Sequence, residues 1–176
     1  MLDYANSFGQ PGCAFRMSCI YGPRQFGTED QGWVAHFIIR ALRDEPITLF
    51  GDGCQIRDIL YVDDAVAAYL KAWRRIGKIS GRAFNLGGGP ANAVSLNELL
   101  VHLSRLLGHK LQLRHEGWRP HDQRYFVADT RRASEALGLV PPLPWQDGVR
   151  LLFDKLAGRE DIAAGSRGNA KARMIA

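Results

Sequence analysis

Apolar and polar positions follow two different periods along this chain, and each change of period marks an element. Val34, Phe37, Ile38, Ala41 and Leu42 recur at helical spacing and predict a helix over 32–43. Leu96, Leu99, Leu100, Leu103, Leu106 and Leu107 do the same, and Ser95-Leu96-Asn97-Glu98 reads as a capping box at the start of their helix. Ala65, Ala68, Tyr69 and Ala72 predict a helix capped by Asp63 or Asp64. Further helices are predicted over 2–8, closed by Gly9; over 129–137, between Asp129-Thr130 and Gly138; and over 145–157, after Pro141-Pro142-Leu143-Pro144. Short apolar runs bounded by Gly, Pro or Asp predict strands at 13–20, 47–50, 59–62, 82–86 and 111–113. Residues 21–31 and 118–125 read as loops. Strands alternating with helices define an α/β domain over 1–157. The strand at 13–20 has no partner near it in sequence, so its neighbours must come from elsewhere. From 158 to 176 no periodic face remains, and this basic tail is expected to be disordered.

The stretch from Ile47 to Asp64 organises the rest. An apolar run turns at Gly51-Asp52-Gly53 and passes through Arg57-Asp58 into a second apolar run. Arg57 is a permanent cation just ahead of that run, and its planar fork suits a phosphate or a carboxylate. The spacing leaves two partners open: a ligand anion, or Asp58, Asp63 or Asp64. Gly87-Gly88-Gly89 follows a strand, but the spacing is not GxGxxG, Pro90 interrupts it, and the helix begins only at Ser95. It reads as a tight loop. Polar groups at strand ends and in loops, Arg57, Asn85, Arg119, Asp122, Gln123 and Arg124, would make a pyrophosphate clamp if two or three arginines converge. Phe50, at the end of its strand, faces either a base or the core.

Composition narrows the class. The 176 residues are 46% hydrophobic and 23% charged, which fits a folded domain rather than a disordered chain. No apolar run approaches the roughly 20 residues of a membrane span, and residues 1–4 lack a basic flank, so the expectation is a cytoplasmic protein without a membrane partner. Cys13, Cys19 and Cys54 form no CxxC pair, and the five histidines show no HExxH, so neither a disulfide framework nor a metal site is indicated. The net charge of +5 is not gathered into one stripe, which argues against nucleic acid as a partner.

Four segments then occur in order: Tyr21-Gly22-Pro23-Arg24-Gln25; Gly51 to Asp64 with Arg57-Asp58 inside it; Phe84-Asn85-Leu86-Gly87-Gly88-Gly89; and Arg119-Pro120-His121-Asp122-Gln123-Arg124-Tyr125. Together they resemble the C-terminal half of an extended short-chain dehydrogenase/reductase, the NAD-dependent sugar-nucleotide epimerase/dehydratase family, over residues 1–157. Residues 18–27, 30–33 and 87–90 most resemble the branch that epimerises C2 of CDP-linked sugars. The resemblance implies the substrate-binding part of an extended Rossmann-type fold, with the NAD-binding part missing. It implies a nucleotide-diphosphate sugar as ligand, with Thr48, Leu49 and Phe50 lining the base pocket, Arg57 and Arg119 facing the pyrophosphate, and Asn85 in the same pocket. Tyr21 and Pro23 would lie beside the nicotinamide of NAD. Such an enzyme oxidises the sugar carbon, rotates the keto intermediate and returns the hydride to the other face.

The chain departs from this pattern. No tyrosine is followed four places on by lysine, and no GxxGxxG loop precedes one. His121 stands where relatives often have glycine, so a positive φ there would strain the loop. The expectation is therefore a fragment that binds the nucleotide sugar without a catalytic pair. It is expected to self-associate, or to need an N-terminal half, through an exposed sheet edge. A stand-alone nucleotide-sugar-binding module and an interaction protein remain alternatives.

Overall fold

The expected strand over 13–20 is broken at Ser18, and both the fold and the candidate site turn on that break. The computed structural model describes residues 1–159 and Ile162, so the expectation of a disordered tail lies almost wholly outside the described residues. The elements are α1 (Leu2–Phe8), β1 (Ala14–Met17), β2 (Cys19–Tyr21), α2 (Trp33–Leu42), β3 (Ile47–Phe50), β4 (Ile56–Tyr61), α3 (Val62–Arg74), α4 (Ile76–Ile79), β5 (Ala83–Leu86), β6 (Ala93–Ser95), α5 (Leu96–Leu107), β7 (Leu113–Glu116), β8 (Tyr125–Phe126), α6 (Arg131–Leu137) and α7 (Trp145–Ala157). A single 3-10 turn covers Pro90–Asn92. Among the described residues β1 pairs with β5, β3 with β7, and a further sheet has the order β2-β4-β6 with β8 on β4. The fold is α/β, as the alternation of strands and helices predicts.

Where the sequence reads as one region over 1–157, the chain divides into two compact units, each discontinuous in sequence. The first contains Met1–Ile20, Arg57–Ala93 and Phe126–Trp145. Here β1 runs parallel to β5 in a register from Ala14↔Ala83 to Met17↔Leu86. The first strand thus has one sheet neighbour within the described chain, far along the sequence. Phe84 packs with Ala72, Ile79, Ala133 and Leu137, and Leu86 with Leu60, Ala65 and Ala68. The small residues of α3 let that helix lie close against its neighbours.

The second unit contains Tyr21–Ile56, Val94–Tyr125 and the described residues from 146 onward. There β3 runs parallel to β7, from Ile47↔Leu113 to Phe50↔Glu116. α2 packs against both β3 and α5. Val34, Phe37, Ile38, Leu99 and Leu103 are buried, the stripes expected from the helical spacing.

The caps follow the sequence at α5, not at α3, and at α6 through Asp129 rather than Thr130. At α5 the Ser95 hydroxyl accepts the Glu98 N–H at 3.1 Å, and the Glu98 carboxylate accepts the Ser95 N–H at 2.8 Å. Those bonds hold the Glu98 carboxyl below the usual carboxylate range. α3, by contrast, starts at Val62 with Tyr61 as its cap. Asp63 and Asp64 sit in its first turn, where a negative charge suits the N-terminal end of the helix dipole. Asp64 instead accepts the Leu143 N–H at 3.0 Å. Thr130 makes no capping bond at α6. Asp129 accepts the Arg131 N–H and pairs with its guanidinium at 2.7 Å, contacts that pull the Asp129 carboxyl down to about 2.

Candidate functional site

Side chains on β3 alternate faces, and this decides which of Thr48, Leu49 and Phe50 can meet a ligand. Leu49 is 1% exposed and belongs to the core. Its side chain therefore points away from the half-buried face that carries Thr48 and Phe50. Thr48 and Phe50 are half-buried on the other face. The Phe50 ring is covered by the Arg119 guanidinium, whose carbon lies 4.0 Å from the ring centroid. Arg119 also reaches Glu29 and Asp30, at 3.4 Å each. Those contacts are long for a charge-assisted pair, which normally closes to about 2.7–2.9 Å. Arg119 is thus a cation spread over a ring face and loosely tied to two carboxylates.

The turn after β3 is tightly knit. Gly51 donates to the Glu116 carbonyl at 3.0 Å, and Gly51 and Gly53 have φ of 77° and 74°. The Trp118 ring lies where a Cβ on Gly51 would come within 2.7 Å. Arg124 sits over that ring at 5.1 Å. Asn97 donates to the Asp52 carbonyl at 3.0 Å, and Gln55 to the Phe50 carbonyl at 2.8 Å. Reasoning from sequence missed Trp118, Glu29 and Asp30. A tryptophan beside a candidate clamp arginine was the available signal for the first; nothing local marks the two carboxylates. Elsewhere in this unit Tyr21 is 2% exposed, and Pro23 is half-buried in a turn. His121 has φ 63°, the strained conformation anticipated for this position.

In the first unit the candidates are Arg57 and Asn85. Arg57 is half-buried on β4. Asn85 is half-buried on β5 and donates to the Asp129 carbonyl at 3.2 Å. Next to Arg57 on β4 stands Asp58, which is completely buried. Its carboxylate accepts from the Ser18 hydroxyl at 2.5 Å and from the Gly89 N–H at 3.0 Å. The Gly87-Gly88-Gly89 turn is closed: a Cβ on Gly87 would collide with the Asp58 carboxylate, and one on Gly88 with the Ile59 carbonyl. A phosphate cradle needs free amides aimed at open space, so this turn does not fit a dinucleotide. It is the tight loop read from the sequence.

Among the described residues no group of His, Cys, Asp and Glu could hold a metal ion, and no helix is long and apolar enough to cross a membrane. Burial lowers the pKa of His36 and His102 and raises that of Cys13. A groove of about 740 Å³ runs along α5 beside Leu100, Val101, Arg105 and Lys110; none of the candidate residues lines it.

Residues 1–87 match the NAD dependent epimerase/dehydratase family, and the chain belongs to that family of Rossmann-type α/β proteins. More particularly, it is similar to the CDP-paratose 2-epimerase of Salmonella typhi, with 39% identity over 159 residues, 88% of this chain and 47% of that protein. Two solved structures extend the match. UDP-glucuronic acid 4-epimerase from Bacillus cereus, in complex with UDP-glucuronic acid and NAD, superposes with a TM-score of 0.77 at 29% identity, over 87% of this chain and 47% of that one. UDP-glucose 4-epimerase from Thermotoga maritima with UDP-glucose gives 0.76 at 31%, over 87% and 48%. The chain spans about half the length of the relatives it matches.

Proposed function

We propose that this chain is the nucleotide-sugar-binding part of an NAD-dependent sugar-nucleotide epimerase, of the kind that acts at C2 of CDP-paratose. The observation that carries the reading is the pairing of Phe50 with Arg119. The ring offers a surface to a base, and the guanidinium is held loosely enough to exchange Glu29 and Asp30 for a diphosphate. Thr48 lies on the same face of β3. Arg57 and Asn85, in the first unit, are taken by themselves as the cation and carboxamide that the family resemblance expects of nucleotide ligands. Leu49 contributes through the core beneath that face. The identity to the Salmonella typhi enzyme supports the sugar and the base.

NAD supplies the hydride acceptor and donor in this family's chemistry. The described residues offer it no glycine cradle and no Tyr-x-x-x-Lys pair, and Tyr21 is too buried to present an open ring; no catalytic step is assigned to them. The chain by itself, incubated with NAD and CDP-paratose, is expected to form no 2-epimer detectable by NMR.

Partner requirements follow from the surface of the first unit. Val66, Tyr69, Leu70 and Trp73 form an exposed apolar stripe at helical spacing on α3, with Trp73 73% exposed. β1 pairs on one edge only among the described residues. Both features support self-association or docking of an N-terminal half. A concentration series by size-exclusion chromatography with light scattering tests this; a monomer throughout would refute self-association.

Calorimetric titration with CDP and UDP tests the binding site. Binding that Arg119→Ala weakens supports the reading of Phe50 and Arg119, and binding that Arg57→Ala weakens supports, separately, the reading of Arg57 as a diphosphate ligand. Affinity unchanged in both variants would leave those arginines as surface ion-pair residues.

A further inference from the structure

A buried carboxylate is expensive unless its lone pairs are satisfied, and Asp58 is completely buried with neutral donors on both oxygens. The segments it joins explain its presence. Ser18 is the break between β1 and β2, and its N–H donates to the Leu86 carbonyl at 2.9 Å. Gly89 ends the turn that follows β5. Asp58 itself sits in β4, immediately after Arg57. One side chain therefore ties β4 to the end of β5 and to the strand break beside it. The turn also presses on β4 directly, because Gly88 leaves no room for a Cβ against the Ile59 carbonyl. Alternation along a strand puts Arg57 on the face opposite Asp58. Asn85 likewise occupies the half-exposed face of β5, flanked by buried Phe84 and Leu86.

We propose that Asp58 is the positioning residue for the diphosphate site, fixing β4 against the β5 turn so that Arg57 and Asn85 are presented together. This rests on the reading of Arg57 and Asn85 as nucleotide ligands. Asp58 touches no substrate; it acts through hydrogen-bond geometry rather than through its charge. That distinction makes the idea testable, because asparagine can satisfy the same network. Its Oδ1 would accept from Gly89 N–H and its Nδ2 would donate to Ser18 Oγ. The Ser18 proton would then go to the Asp58 main-chain carbonyl, already 2.6 Å away.

The experiment measures CDP affinity by calorimetry at a temperature where near-ultraviolet circular dichroism shows each variant folded. Asp58→Ala is expected to weaken CDP about tenfold, the size of one charge-assisted contact. Asp58→Asn should restore affinity to within about twofold of the parent on the same scale. Adding Ser18→Ala to Asp58→Asn strands the new amide, and the loss should return. Should Asp58→Ala fail to fold, the Asn pair carries the test. The side-chain NMR signals of Arg57 and Asn85 should shift in the double variant and stay in place in Asp58→Asn. Affinity and signals that do not move while the melting temperature falls would show a merely structural residue and overturn the proposal. Loss in Asp58→Asn equal to that in Asp58→Ala would overturn the hydrogen-bond account. A parent chain that binds no nucleotide diphosphate would remove the site reading and this proposal with it, whereas parent binding that none of the variants alters removes the proposal alone.

Discussion

Two glycine turns, one in each unit, look alike in sequence and are built on opposite principles. In Gly87-Gly88-Gly89 the first two glycines are needed because there is no space, with a buried carboxylate and main chain standing where side chains would be, and only Gly89 has a positive φ. Gly51-Asp52-Gly53 is needed because of conformation, with two positive φ angles and only side chains, Trp118 and Asn97, crowding it. The first turn is sealed by a group that cannot move without breaking β4. The second is bordered by side chains that can shift, beside the half-buried pair of Phe50 and Arg119. Glycine after a strand therefore signals a rigid joint in one unit and an adaptable rim in the other.

The sharpest way to break this comparison is to add a methyl group to each turn. Gly88→Ala is expected to lose about 3 kcal/mol or more in urea unfolding, because its neighbour is main chain in a closed site. Gly51→Ala should lose roughly 1–2 kcal/mol, the cost of a left-handed non-glycine residue, with Trp118 giving way. Equal losses would mean that the turns are not different in kind.

Arg119→Ala should lose on the order of 1.5–3 kcal/mol of nucleotide-diphosphate binding. Its effect on urea unfolding should stay within about 1 kcal/mol, since partly exposed ion pairs contribute little to stability. A large unfolding effect would show the second rim to be as rigid as the first. Asn97→Ala removes the bond to the Asp52 carbonyl and is expected to cost about 1 kcal/mol. No loss would mean that the turn holds itself through Asp52, which accepts the Cys54 N–H at 2.8 Å.

The smallest effect concerns pH. His36 and His102, both in the second unit, have pKa values lowered from 6.5, chiefly by burial. The fold favours their neutral forms, so the unfolded chain takes up protons first as pH falls. Their contribution to stability is present above 6.5 and is lost as pH falls below it. A urea series between pH 7.5 and about pH 5 should show this decline, and His36→Gln with His102→Gln should flatten it. Asp129, lowered from 3.8 to about 2, changes stability only as pH falls between those values and does not enter that window.

How much of this was legible depends on the range of the interaction. Ser95 and Glu98 sit three residues apart, so a capping box can be read locally, and it formed as read. Asp63 and Asp64 satisfied the same cap rule and did not cap, because chain from elsewhere supplied Leu143 N–H to Asp64. The run at 13–20 reads as one strand despite Arg16 and Ser18, and only the pairing of Ser18 with Asp58 and Leu86 shows why it splits. Of the candidate site, the residue types were legible from the ordered motifs. Their exposure was not: the pattern Thr48-Leu49-Phe50 states that neighbours face opposite ways but not which face is covered.

The sequence by itself determined the longer helices, the strand runs at 47–50 and 82–86, the α/β class and the family resemblance, because spacing and turn residues act over a few positions. Only the tertiary structure decided that Asp58 is buried against Ser18 and Gly89, that Leu49 faces inward, and that Arg119 lies over Phe50. Each of those facts depends on segments far apart in the chain meeting at atomic distance, where a collision or an unpaired lone pair decides the outcome. No local periodicity encodes that meeting.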